Sequence, residues 1–236
     1  MPKSGCTLVE CEDAIGINGE DLRFAVADGA TEAFDAKSWS NRLVTSWINA
    51  GADAALSTNF DTWLAEQGRQ QHESWGGLKL SWYAEEKALQ GSFAAFVGVQ
   101  IGMLEGRARW TAIALGDSCL VHWRGNEILL SLPLSEASLF NASPALAPSS
   151  DKFLEKALRY TTSSANWLEH GDTLWLLSDA VAAWFLAMSE NEKERLVQFV
   201  SMFDDASDDA LIEFFGNERQ ASRVKDDDIA ILRITC

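Results

Sequence analysis

Carboxylates at the ends of apolar segments are the residues of this 236-residue chain best suited to chemistry. They come from distant parts of the sequence, and each stands beside a segment with the composition of a buried strand. The acids are Glu12, Asp13, Asp28, Asp179, Asp227 and Asp228. A folded sheet could bring such strand ends to one place, and clustered carboxylate oxygens are the ligands that hard divalent cations prefer. The pattern therefore predicts a metal-dependent hydrolase.

Other catalytic chemistries find little support in the sequence. The cysteines show no C-x-x-C spacing and no neighbouring histidine, which argues against a zinc or redox site. The three histidines, His72, His122 and His170, are isolated from one another, so a His-rich zinc enzyme is not expected. No Ser-His-Asp, Cys-His or H-E-x-x-H pattern is visible. This absence agrees with a metal-activated hydroxide as the nucleophile, which two divalent metals would supply without a side-chain nucleophile.

The bulk composition excludes several classes of function. The apolar fraction of 47% is typical of a globular chain, and the formal net charge of −16 disfavours nucleic-acid binding. No apolar run approaches the roughly 18 residues of a membrane helix, and no signal-peptide core follows Met1. There is no repeat and no linker. We therefore expect one domain spanning 1–236, located in the cytoplasm, with neither a membrane nor a nucleic acid as its partner.

The elements that must position the acids form a mixed pattern of strands and helices. Apolar, β-branched and aromatic segments predict strands at 7–9, 22–27, 92–103, 107–115, 120–123, 128–132, 173–177 and 229–234. Helical spacing predicts helices at 37–54, 58–71, 80–89, 180–188, 190–202 and 207–215. The segment Gly116-Asp117-Ser118 between two of the strands is predicted to be a hairpin turn. Periodicity thus indicates an α+β layered domain.

Five segments of the chain occur in an order that is similar to a known family. They are CEDA (11–14), FAVADGA (24–30), ALGDS (114–118), GDTLWLLSDA (171–180) and DDDIAIL (226–232). The series resembles the ordered motifs of the metal-dependent serine/threonine protein phosphatases of type 2C, the PPM family, in its compact bacterial form. The resemblance extends over about residues 5–234. It implies a four-layer α-β-β-α sandwich, with two packed antiparallel sheets flanked by helices and a metal cleft at one edge.

The resemblance also implies cofactors, namely two manganese or magnesium ions and a third, more weakly bound one. In the family pattern, Asp28 would bridge the two principal ions and the Gly29 carbonyl would bind one of them. Glu12 or Asp13 would hold that same ion. The sequence does not separate these two neighbours, although the pattern favours Asp13.

The remaining ligands follow from the later motifs of the resemblance. Asp179 and Asp227 would hold the second principal ion, and Asp117 matches the position of the third. Asp228 and Ser178 would lie beside the ligands and support them.

The function that the resemblance implies is hydrolysis of phosphoserine and phosphothreonine monoesters by a hydroxide that bridges the two metals. The expected partner is a phosphorylated protein, the substrate of a serine/threonine kinase in bacterial signalling. Two alternatives stay open. One is a catalytically silent relative that serves as a binding or regulatory module, and the other is a phosphatase for a small metabolite.

The chain departs from the family pattern where substrate is handled. The phosphate-binding arginine of eukaryotic members is replaced by Leu8, so the cation is missing or comes from elsewhere, with Lys3 and Arg23 as the candidates. The Asp-Gly pair is followed by Ala30, so the histidine that acts as general acid in the family is absent. The usual Asp-Asn pair is Asp227 followed by another aspartate, which adds a charge near the metals.

Overall fold

Two antiparallel sheets form the centre of the molecule in the computed structural model, which describes residues 1–50, 59–140, 143–203 and 205–236. The strands of the first sheet are β1 (Asp13–Asn18), β2 (Arg23–Gly29), β3 (Phe93–Leu104), β4 (Arg107–Leu115), β7 (Ala147–Pro148) and β8 (Thr162–Trp167). The second sheet contains β5 (Cys119–Arg124), β6 (Glu127–Leu132), β9 (Thr173–Leu177) and β10 (Ile231–Thr235). The strand orders are β1-β2-β3-β4-β8, with β7 paired to β3, and β10-β9-β5-β6.

Helices cover the outer faces of both sheets. Within the described ranges they are α1 (Ala36–Asn49), α2 (Phe60–Ser74), α3 (Trp82–Gln90), α4 (Asp151–Leu158), α5 (Asp179–Asn191), α6 (Lys193–Met202) and α7 (Asp208–Gln220). A short 3-10 helix lies at Ala137–Leu139. None of the helices seen in these ranges has the length and apolar character needed to span a membrane.

Three apolar layers hold the four structural layers together. Between α1, α2 and the first sheet lie residues such as Trp39, Trp47 and Phe96. Val97 and Leu176 belong to the layer between the two sheets. A third cluster packs α5, α6 and α7 against the second sheet; it includes Trp175, Trp184 and Phe199. The observed arrangement is the predicted four-layer sandwich of two antiparallel sheets flanked by helices.

Strand β2 shows why the central strands are apolar without interruption. Ala25 and Ala27 face the helices, whereas Phe24 and Val26 face the second sheet. Because both faces are buried, the usual alternation of polar and apolar residues is lost. The residues on the helix side are small since tryptophans fill that layer. Gly29 lies at the end of this strand, six residues after Arg23, and is therefore beside the acids.

The predicted strand at 7–9 is wrong. These residues form a turn, in which the Glu10 carboxylate accepts hydrogen bonds from the backbone N–H and the hydroxyl of Thr7, both at 2.9 Å. Leu8 and Val9 are exposed. The hydrogen bonds to the Glu10 side chain thus stabilise a turn where strand pairing was expected. The first strand begins later, at Asp13.

The predicted hairpin at 116–118 is also wrong. Strand β4 belongs to the first sheet and β5 to the second, so the chain crosses between sheets at this point. Gly116 has φ of +115°, and a Cβ there would lie 2.5 Å from the Cβ of Ala95. Only glycine allows this close crossing. As a result Asp117 stands where the two sheets meet.

Candidate metal centre

The register of the first two strands places two predicted ligands opposite each other. Asp13 pairs with Asp28 across β1 and β2, at the same edge of the sheet. Directly opposed residues in an antiparallel pair have Cβ atoms about 5 Å apart. Gly29 closes this edge, because its N–H donates to the Glu12 carbonyl at 3.3 Å. A Cβ at this glycine would lie 2.9 Å from the carbonyl oxygen of Ala36, so the position requires glycine.

The carboxylate of Asp13 is buried and lacks hydrogen-bond partners. Neither oxygen makes a bond of normal distance and angle, although the Ser178 hydroxyl lies near enough to favour the ionised form. Burial raises the pKa of Asp13 to about 7, and repulsion from Asp228 and Asp179 acts in the same direction. A buried carboxylate in this state is costly unless a proton or a cation satisfies it.

The surroundings of Asp28 show that acids from the whole chain converge. Burial raises the pKa of Asp28 well above its usual range. Repulsion from four other carboxylates, in decreasing order Asp13, Asp179, Asp117 and Asp227, raises it further. The fold therefore brings together five of the aspartates that the sequence predicted as ligands. They come from five separate segments of the chain.

Asp117 belongs to the same acidic cluster through the crossing between the sheets. Its side chain is buried, and burial raises its pKa to about 6. Repulsion from Asp179 is the next contribution, and attraction to Lys225 opposes it. The sheet crossing, rather than a hairpin, explains how a residue between β4 and β5 reaches acids on β2 and α5.

Asp179 and Asp227 are joined by a lysine that sequence analysis did not identify. Lys225 Nζ lies 3.0 Å from Oδ2 of Asp179 and 2.6 Å from Oδ2 of Asp227. In the part of the chain that the structure describes, no three carboxylate, imidazole or thiol groups surround one point closely enough to form a ready-made metal site. Cation binding would thus require side-chain movement within the cluster.

Asp228 and Ser178 support the cluster through the backbone. Oδ1 of Asp228 accepts from the Lys3 N–H at 2.8 Å, and its Oδ2 accepts from the Glu12 N–H at 2.7 Å. Ser178 Oγ accepts from the Ala230 N–H at 2.9 Å. These bonds tie the N-terminal segment and the end of β9 to the segment before β10. Both residues therefore fix the positions of acids beside them.

Glu12 differs from its neighbour Asp13. Its Oε2 accepts from the hydroxyl of Thr31 at 2.5 Å, and that hydroxyl also accepts from Lys3 Nζ at 3.3 Å. Glu12 is therefore already satisfied at the rim of the cluster, whereas Asp13 presents unpartnered oxygens. The geometry favours Asp13 over Glu12 as the direct ligand.

The positions of Arg23 and Lys3 decide which of them could be the phosphate-binding cation. Arg23 is buried at the start of β2 and donates to the Trp47 carbonyl at 3.2 Å, about 17 Å along the strand from Asp28. It does not reach the acidic edge. Lys3 does lie there, beside Thr31. Lys3 remains the candidate of the two.

The acidic cluster fits divalent cations by the chemistry of its donors. Its possible metal donors are carboxylate oxygens that repel one another, and both oxygens of Asp13 are buried and without hydrogen-bond partners. Hard cations prefer this donor set, and binding them would relieve both the repulsion and the unsatisfied oxygens.

Comparison with solved structures supports the assignment of the fold. Stp1, a serine/threonine phosphatase from Staphylococcus aureus, superimposes with a TM-score of 0.58 at 13% identity, covering 100% of this chain and 93% of that one. The PPM Ser-Thr phosphatase MsPP from Mycobacterium smegmatis, solved with cacodylate, gives 0.55 at 14%, covering 100% and 96%. PppA, described as a key regulatory component of T6SS in Pseudomonas aeruginosa, gives 0.56 at 19%, covering 95% and 90%.

Sequence comparisons alone do not detect this relationship. No protein-family model matches the chain, and no curated protein matches it in sequence. The solved structures are all distant in sequence, so their similarity concerns the fold and not the activity. Because the superpositions cover nearly all of this chain and of each neighbour, the chain has the fold of the PPM serine/threonine phosphatases.

Proposed function

We propose that this protein hydrolyses phosphoserine and phosphothreonine monoesters in phosphorylated proteins, the substrates of a serine/threonine kinase, with manganese or magnesium as cofactor. The observation that carries the proposal is the convergence of five aspartates at one edge of a PPM fold, one of them with two buried, unpartnered oxygens. Structural acids on a protein surface would be solvated or paired instead. Keeping these acids together is costly unless protons or cations neutralise them.

In this proposal Asp13, Asp28, Asp179 and Asp227 hold the two principal ions and Asp117 contacts a third. When bound, the ions neutralise the charge of the phosphoryl group and activate water for its hydrolysis. The contribution of the fold is to position the acids that would hold the ions. The cross-strand pairing fixes Asp13 against Asp28, and the sheet crossing places Asp117 beside them. These backbone positions are fixed by the fold, so only side-chain movement within the cluster would be needed to bind the ions.

The silent-module alternative rests on one observation: Lys225 already pairs with two of the acids. Against it, the five aspartates are retained although keeping them together is costly. A domain that only binds partners has no need of this arrangement. Catalysis explains the retention of the acids better than binding alone does.

We expect phosphatase activity to fall close to zero after treatment with a chelator and to return with manganese more strongly than with magnesium. The acids supply no nucleophile of their own, and magnesium tolerates irregular coordination and dehydration poorly. The measurement is a metal titration with a phosphorylated peptide beside para-nitrophenyl phosphate. Metal binding without turnover of either substrate would support the silent module, and full activity in excess chelator would contradict a metal mechanism.

A cavity of about 440 Å³ beside the acids provides room for the polypeptide around the phosphorylated residue. Asp117 forms part of its wall, and Leu134, Pro144, Lys156 and Tyr160 line it further out. The wall thus has an acid at the chain crossing, apolar residues beside it and a cation on α4. We propose that it accepts residues flanking the phosphorylated one, with a preference for acidic side chains near Lys156.

Lys156→Glu should lower kcat/KM for a phosphopeptide with acidic flanking residues severalfold, since like charges would face each other at an exposed contact worth about 1 kcal/mol. Hydrolysis of para-nitrophenyl phosphate should not change, because this substrate has no flanking residues. The matched control is Lys152→Glu, on the same helix but lining a different cavity with His72 and Ser149. Equal effects of the two variants on the peptide would show that overall charge, not this cavity, is responsible.

A further inference from the structure

Lys225 lies in the acidic cluster, but the proposed hydrolysis gives it no role. Its ammonium bridges Oδ2 of Asp179 and Oδ2 of Asp227, at 3.0 and 2.6 Å. The two acids come from different elements, the start of α5 and the segment before β10. In the proposed function they hold the same metal ion. The ammonium therefore occupies the oxygens that this ion needs.

An ammonium and a divalent cation cannot share these oxygens. A lysine side chain ends in a compact charge with three donors and no acceptor, so it satisfies carboxylates but repels a metal ion. The side chain of Lys225 is 62% exposed, and its flexible stem lets it leave without disturbing the core. Binding of a metal ion between Asp179 and Asp227 thus requires that Lys225 be displaced.

Arg219, the nearby arginine, plays a different part. Its guanidinium donates to the backbone carbonyls of Pro2 and Asp227 and lies 3.6 Å from the Asp226 carboxylate. Its side chain is nearly buried, so it is a fixed structural cation. It does not bridge the two predicted ligands. Lys225 alone, among the described residues, has ion pairs to both Asp179 and Asp227.

We propose that Lys225 is a tethered competitor of the divalent cation, which neutralises Asp179 and Asp227 in the metal-free protein and is displaced when metal binds. The inference rests on the proposed function, because it assumes that these acids are metal ligands. It assigns to Lys225 two effects. It stabilises the metal-free fold, and it lowers the affinity of the site for metal.

The test is Lys225→Met, with Mn²⁺ binding measured by titration calorimetry on the full chain. Two ion pairs of this exposed kind together correspond to roughly a tenfold change in a binding constant, so the Kd for Mn²⁺ should fall about tenfold. The melting temperature of the metal-free variant should be lower than that of the parent. At saturating Mn²⁺ the two proteins should melt together, since the lysine is displaced in both. Lys225→Gln should behave in the same way.

Lys3→Met is the matched control, because Lys3 lies at the rim of the cluster but contacts the Thr31 hydroxyl instead of the two acids. It should change the Kd much less. If Lys3→Met tightens Mn²⁺ binding as much as Lys225→Met, or if Lys225→Met leaves the Kd unchanged while the parent binds Mn²⁺, the competitor role is overturned and the proposed function stands. If neither parent nor variant binds Mn²⁺, both fall together.

Discussion

Asp28→Asn is expected to lower kcat by at least about 100-fold, because loss of one electrostatic contact at a reacting centre costs roughly 3 kcal/mol. Asp28 lies at the centre of the cluster, where it faces Asp13 across the strand pair and is repelled by Asp179, Asp117 and Asp227. An amide at this position would remove the charge that holds the cations together. The measurement is kcat for a phosphopeptide at saturating manganese.

Two further variants make this prediction specific. Asp117→Asn should reduce kcat less, since that residue contacts only the third ion in the proposed arrangement. Asp205→Asn, at an exposed position away from the cluster, should have no effect. The metal-free Asp28→Asn protein should melt no lower than the parent, because a buried like charge has been removed. Equal losses in all three variants would show that the assigned roles are wrong.

The strands that end at the acids were predictable because both of their faces are buried. Strands β2 and β9 are apolar over most of their length. Asp28 lies near the end of β2, and Asp179 begins the helix that follows β9. A segment of this kind between two packed layers has few alternatives to a central strand. Composition and periodicity therefore predicted the α+β layered class, whereas the four-layer sandwich and the roles of the acids were implied by the resemblance of the ordered motifs.

The elements that sequence analysis missed are those whose structure depends on partners elsewhere in the chain. Strand β1 is short and lies at the edge of its sheet, with Ile15 and Ile17 exposed, so it has no buried apolar run. Strand β8 is the other edge and is largely polar. The crossing at Gly116 looks like a hairpin turn because the same residue types serve both. Only the sheet pairing distinguishes the two.

The site shows the same division. Residue types and order predicted which acids would meet, but not which of them would lack partners. Glu12 and Asp13 are adjacent acids with different environments. The Thr31 hydroxyl donates to Glu12 at the rim, whereas the pairing of β1 with β2 places Asp13 inside the cluster. Nothing in the sequence predicted the ion pairs of Lys225, which is one basic residue before three acidic ones. Its ion pairs arise from the side-chain geometry of α5 and the segment before β10.

The metal-free protein is expected to lose stability as pH rises from about 4 to about 7, opposite to the usual effect of a salt-bridged aspartate. An unfolded aspartate has a pKa of about 3.9, whereas burial raises the pKa of folded Asp13 to about 7. Between these values the folded state binds more protons than the unfolded one. The contribution of Asp13 to the free energy of unfolding therefore falls with pH across this window and is constant outside it.

The effect is on the order of a few kcal/mol, and the raised pKa of Asp28 contributes with the same sign. The measurement is urea unfolding without metal at about pH 5 and about pH 8. The acidic net charge also disfavours the compact state at higher pH, so Asp205→Asn serves as the control for general repulsion. Asp13→Asn should lose much of the pH dependence, whereas Asp205→Asn should keep it.

Saturating manganese should reverse the dependence of stability on pH, since metal binds the deprotonated carboxylates of the folded state and its affinity increases with pH. If parent and Asp13→Asn proteins show the same dependence on pH, with and without manganese, Asp13 is not a buried acid awaiting a cation.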